Sequence, residues 1–93
     1  METRKEYTEI AGFIPAAKGG VVTVEFTKVG DGELRVMPCT LDVVLSNHNV
    51  PEILEQKEIS DHLVVWSLDK AAWRSFRVDT LVKWYEGYPD ETN

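Results

Sequence analysis

Hydrophobic positions along this chain recur in short runs of period two rather than in helical stripes. "VVTVEFTK", from Val21, places Val22, Val24 and Phe26 on one side and Thr23, Glu25 and Thr27 on the other, the alternation of a half-buried strand. "VGDG" follows as a turn with Asp31-Gly32 at its tip, because Asp-Gly readily supplies the positive φ of a tight hairpin. "ELRVMPCT" then resumes the alternation, with Leu34 and Val36 on one side and Arg35, Met37 and Cys39 on the other. Pro38 lacks a backbone donor, so this second strand is expected to be an edge or to be bulged there.

A second hairpin is predicted over Leu63–Val78, with strands "HLVVWSL" and "WRSFRV" joined by the tight connection "DKAA". Asp79-Thr80 leads into "LVKWY", taken as a last strand. The stretch "LDVVLSNHNVPEILEQKEIS" reads as a loop with one helical turn around Glu52–Gln56. The opening "EYTEIAGFI" fits a strand or a helix and is taken as an irregular arm with one short element. The organisation expected is therefore an arm over residues 1–20, a barrel over 21–85 and an acidic tail over 86–93. About five short strands with tight turns and little helix favour a closed sheet, since closure removes exposed strand edges. An all-β, SH3-like or Sm-like barrel is the predicted architecture.

Length and charge narrow the functional classes. Ninety-three residues support one core only, and a hydrophobic fraction of 43% is that of a folded domain. The lone Cys39 rules out an internal disulfide, and His48 and His62 stand in no zinc-ligand spacing, so neither a metal nor another cofactor is expected. There is no apolar run near membrane-spanning length and no leader pattern, so a cytoplasmic protein with no membrane partner is expected. The net charge of −6 argues against broad duplex-DNA affinity. Charge is nevertheless uneven: Leu63–Tyr85 holds four bases against two acids, while the flanking segments are acidic.

Two stretches resemble, in order and wording, small phage and prophage proteins related to WYL domains and described as having an Sm-like SH3 β-barrel fold. They are "VEFTKVGDGELRVMPCTL", Val24–Leu41, and "VVWSLDKAAWRSFRVDTL", Val64–Leu81, with "RSFRVD" similar to the end of a WYL domain. The resemblance implies the barrel, a phage-type origin with residence in the host cytoplasm, and a ligand, nucleotide or nucleic-acid role for the arginines matching Arg74 and Arg77.

Alternation in "WRSFRV" puts Trp73, Ser75 and Arg77 on one face and Arg74, Phe76 and Val78 on the other. Arg74 reaches water either from a strand end or through a bulge near Arg74-Ser75. A surface of Trp73, Arg74, Arg77 and Lys70, extended by Arg35 and Lys83, suits stacking of bases and contact with phosphate. The competing role for Arg77 is a pair with Asp79 or a neighbouring glutamate. Trp66 is expected in the core, and Trp84 at a rim or protein interface.

Cys39 has no base near it in sequence, and catalysis is not expected of this chain. Glu52, Glu55, Glu58 and Asp61 recur at three-residue spacing and form one negative stripe if the segment is helical. Two readings follow. One is a non-enzymatic regulatory module that binds nucleic acid or a nucleotide through Arg74, Arg77, Trp73 and Lys70. The other is an acidic interaction factor or DNA mimic that modulates a host protein through Trp84, Glu52, Glu55 and Glu58. A homo-oligomer through sheet edges is compatible with both.

Overall fold

The computed structural model describes residues 5–28, 30–42 and 61–89. A short helix, α1 (Phe13–Lys18), precedes five strands: β1 (Val21–Thr27), β2 (Leu34–Thr40), β3 (His62–Ser67), β4 (Ala72–Arg77) and β5 (Leu81–Glu86). They form one antiparallel sheet in the order β4-β3-β2-β1-β5.

That order makes β4 and β5 the two edges, yet only a 3₁₀ turn, Val78–Thr80, joins them. In a flat sheet those edges would lie about 19 Å apart. Three residues of 3₁₀ turn advance about 6 Å. The sheet is therefore rolled, and Phe26 of β1 stacks on Phe76 of β4 with ring centroids 5.6 Å apart across the interior. This is the small all-β barrel that the alternation predicted.

In the first hairpin the interior pairs are Val22 with Cys39, Val24 with Met37 and Phe26 with Arg35. Val22, Val24 and Cys39 are fully buried, while Leu34 and Val36 face outward and are exposed. At the hairpin tip the positive φ angles fall on Gly30 and Gly32 rather than on Asp31, whose carboxylate instead accepts a hydrogen bond from the Glu33 N–H at 2.9 Å. In β5 the register slips by one residue between the partners of Glu25 and Phe26, and Val82 stands out at the bulge.

Within the segment expected as an irregular arm with one short element, the element is α1, and it contributes to the core. Phe13, Ile14 and Ala17 of α1 are buried under the barrel. Pro15 sits in the first turn, where its missing N–H costs no helical bond. Gly19 then closes the helix, its N–H reaching the carbonyls of Pro15 and Ala16. Upstream, Tyr7 exchanges two backbone hydrogen bonds with Trp84, at 2.9 and 2.8 Å, on the side of β5 away from β1. The expected helical turn at Glu52–Gln56 lies outside the described residues, as do His48 and the rest of 43–60.

Candidate ligand-binding groove

The site begins with a mismatch in strand pairing. β2 is matched along its whole length by β1 but meets β3 only at Cys39 with Ser67 and Thr40 with Trp66. One more bond, from the Leu68 N–H to the Pro38 carbonyl at 3.0 Å, ends that ladder. Beyond it the β3–β4 turn, Leu68–Ala71, leaves the sheet, with Ala71 in the left-handed region at φ 52°.

Hydrogen-bonded pairs in an antiparallel ladder alternate with non-bonded ones. The Lys28 N–H bonds the Glu33 carbonyl, so the bonded pairs of this hairpin are those in step with Lys28 and Glu33. Leu34, Val36 and Pro38 fall in the other set, and their backbone groups point away from β1. At Pro38 the missing donor coincides with the end of the β3 ladder, as an edge position requires. At Leu34 and Val36 the backbone groups face open space among the described residues.

This open space is a groove of about 630 Å³. Phe26 and Met37 form its floor, with Lys28, Leu34, Arg35 and Val36 along one wall. Ser67, Asp69, Lys70, Arg74 and Ser75 line the other. Four cations therefore converge against one aspartate in the lining of an otherwise acidic molecule. Arg35 is partly engaged by Asp31 and Glu33 at the hairpin tip, at 3.9 and 3.5 Å. Lys28, Lys70 and Arg74 form no ion pair among the described residues.

The pairing of β3 with β4 places each residue of the second hairpin. Arg74 lies opposite Val65 and Phe76 opposite Leu63, all on the interior face, without a bulge. Arg74 stands third in the six-residue β4, at neither a strand end nor a bulge, and is exposed because the groove opens beside it. Arg77 is on the outer face, where its guanidinium grips Asp79 twice: Nε to Oδ1 at 3.0 Å and a terminal nitrogen to Oδ2 at 2.8 Å. That hydrogen bonding raises the Arg77 pKa and holds the Asp79 carboxyl below the usual carboxylate range.

Trp73 shares the outer face with Arg77, but its ring meets Trp66 edge-on at 5.2 Å and is half-buried. The four residues grouped by the sequence therefore divide: Lys70 and Arg74 enter the groove, and Trp73 and Arg77 do not.

Other expected residues are also relocated. Trp84 is only 2% exposed. It stacks on Tyr7 at 4.4 Å, meets Phe13 edge-on and donates from Nε1 to the Glu9 carbonyl at 2.7 Å, so it is no rim anchor. Trp66, expected in the core, is half-buried on the opposite face of β3 from Leu63 and Val65. Lys83 is held by Glu6 at 3.0 Å, which raises its pKa through that hydrogen bond. Burial pushes the Cys39 thiol far above its ordinary range, so the thiolate a nucleophile needs is suppressed. Glu52, Glu55 and Glu58 lie outside the described residues.

Among the described residues no cluster of metal-ligating side chains occurs, and no helix is long and apolar enough to cross a membrane. Lys28, Met37 and the free edge at Leu34 and Val36 were not singled out by sequence reasoning; the missing N–H of Pro38 was the signal that this part of β2 is an edge.

Comparison with known proteins agrees with the architecture. No curated protein and no solved structure matches the chain. A family model, WYL_2, described as an Sm-like SH3 beta-barrel fold, matches residues 14–82, from α1 to the bulge in β5. With most of its length, all of β1 to β4 and the start of β5 in that match, the chain belongs to the WYL_2 family of Sm-like SH3 β-barrels.

Proposed function

We propose that this small barrel is a non-enzymatic binding module that takes single-stranded nucleic acid or a nucleotide in the groove between β2 and the β3–β4 turn. One observation supports this most: Arg74 and Lys70 enter one groove without carboxylate partners among the described residues, whereas Arg77, Arg35 and Lys83 all have such partners. A guanidinium and an ammonium over an apolar floor suit phosphates flanking an unstacked base. A duplex is disfavoured, because the surface outside the groove is acidic and would repel a second rank of phosphates.

The test is fluorescence anisotropy of a labelled oligothymidylate at low salt. Wild-type protein should bind with an affinity that falls as salt rises, with a log–log slope of roughly −1.5 to −2 for two or three phosphates. Arg74→Glu combined with Lys70→Glu should abolish binding, and Arg77→Ala should leave it unchanged. Absence of binding by wild type, or equal binding by the double charge reversal, would sink the proposal.

A further inference from the structure

The groove has a second asset besides its cations. Leu34 and Val36 turn their backbone groups toward it, so the Leu34 carbonyl and the Val36 N–H form an adjacent acceptor and donor on an unpaired edge among the described residues. Every nucleobase carries a donor next to an acceptor on its pairing edge once it is unpaired. We infer that β2 reads an unstacked base through these two backbone groups, while Lys70 and Arg74 hold the adjoining phosphates. The base lies over the apolar floor of Met37 and Phe26. The inference rests on the phosphate-binding reading of the same groove and adds to it the part of the ligand that β2 contacts.

Geometry favours a base over the other occupant a strand edge admits, an extended peptide. The free stretch, Leu34–Met37, is about 10 Å long before the β3–β4 turn intervenes. Only Leu34 and Val36 present backbone groups along it, so an added strand would gain a short ladder. Its side chains would alternate between faces, so only every second one would meet the cations of the far wall. A nucleotide presents one flat donor–acceptor edge and a charge beside it, matching the short edge and the cations together. Backbone contacts of this kind are tolerant of base identity, so modest sequence preference is expected.

The experiment separates this inference from the phosphate reading. Wild type and Val36→Pro are titrated against a base-bearing oligothymidylate, an abasic oligomer of the same length, and a peptide of alternating glutamate and valine. Val36→Pro deletes a donor that points away from β1, as Pro38 already does two residues on, so the β1–β2 ladder is kept. Wild type should prefer the base-bearing oligomer over the abasic one by roughly ten- to a hundred-fold, the weight of about one stacked and bonded base. Val36→Pro should cut that preference by roughly two- to ten-fold, because the Leu34 carbonyl and the apolar floor remain, and leave abasic binding alone.

As a readout free of mutation, the Val36 amide resonance of wild type should shift with the base-bearing oligomer and not with the abasic one. Equal binding of both oligomers, with no effect of Val36→Pro and no amide shift, would overturn base reading while leaving phosphate binding in place. No binding of either oligomer would overturn both. Tighter binding of the peptide, lost in Val36→Pro, would overturn base reading in favour of strand addition.

Discussion

The two ends of this barrel are built from the same kind of strand and differ in whether the edge groups are satisfied. At the closed end, Tyr7 completes the hydrogen bonding of Trp84, and Tyr7, Trp84, Phe13 and Phe76 make a continuous chain of ring contacts that runs through the interior to Phe26 at the groove. At the open end β2 outruns β3, leaving backbone groups, exposed apolar side chains and unpaired cations around a groove. Burial and pairing thus concentrate stability at one end. The other end is left with groups whose hydrogen-bonding capacity is available to a ligand, as binding sites on rigid scaffolds require.

The sharpest way to test that division is to truncate a hub on each side. Phe13 is fully buried and touches both Trp84 and Phe76, so Phe13→Ala should cost about 3–5 kcal/mol through lost burial and a residual cavity. Against a total stability of roughly 5–14 kcal/mol for a domain of this size, that is a large fraction. Arg74→Ala, at the mouth, should stay within about 0.5 kcal/mol, as exposed substitutions do. Urea denaturation followed by tryptophan emission measures both. Similar losses for the two variants would mean that Arg74 packs as core and that the open end is as structural as the closed one.

How much of this contrast the sequence displayed depends on whether a feature is local. Period-two alternation made the strands legible, but the apolar run around Trp66 suggested core where the structure sets it on the face opposite Leu63 and Val65. The helix α1 escaped because six residues with an internal proline span less than two turns, too few for Phe13, Ile14 and Ala17 to show a helical period. The groove was less legible still. It exists because β2 and β3 pair over so few residues, and pairing length between strands so far apart in sequence is a tertiary property. The arginines show the same limit: alternation separates Arg74 from Arg77, and only the roll of the sheet decides which of them faces a cavity.

A smaller effect is expected from a single hydrogen bond at the closed end. Trp84→Phe keeps an aromatic ring against Tyr7 and Phe13 but removes the Nε1–H that the Glu9 carbonyl accepts. The cost should be about 1–2 kcal/mol, the price of one part-buried bond together with the lost ring volume. It should also loosen the strap of residues 6–10, seen as faster amide exchange at Tyr7 with the β1–β2 amides unchanged. Uniform exchange across the sheet would show that the strap and barrel open together, and that the closed end has no separable layer.

The smallest effect belongs to the outer face, where Arg77 and Asp79 satisfy each other in water. Asp79 has a folded-state pKa below its unfolded value, because the Arg77 hydrogen bonds favour the carboxylate. Its contribution is therefore present above the unfolded carboxylate range and disappears as pH falls through the depressed folded value. Both side chains are exposed, so solvent and salt screen the pair, and Arg77→Ala should leave the thermal midpoint at neutral pH within measurement error. The change should be visible in the titration itself: carboxyl carbon shifts should move the Asp79 midpoint upward in Arg77→Ala, toward the ordinary range, while oligonucleotide binding in the groove stays as in wild type. An unchanged Asp79 midpoint would show that the ion pair does not persist in solution. Arg77 would then be a free cation on the face that carries Trp73, and the separation of this face from the groove would lose its physical basis.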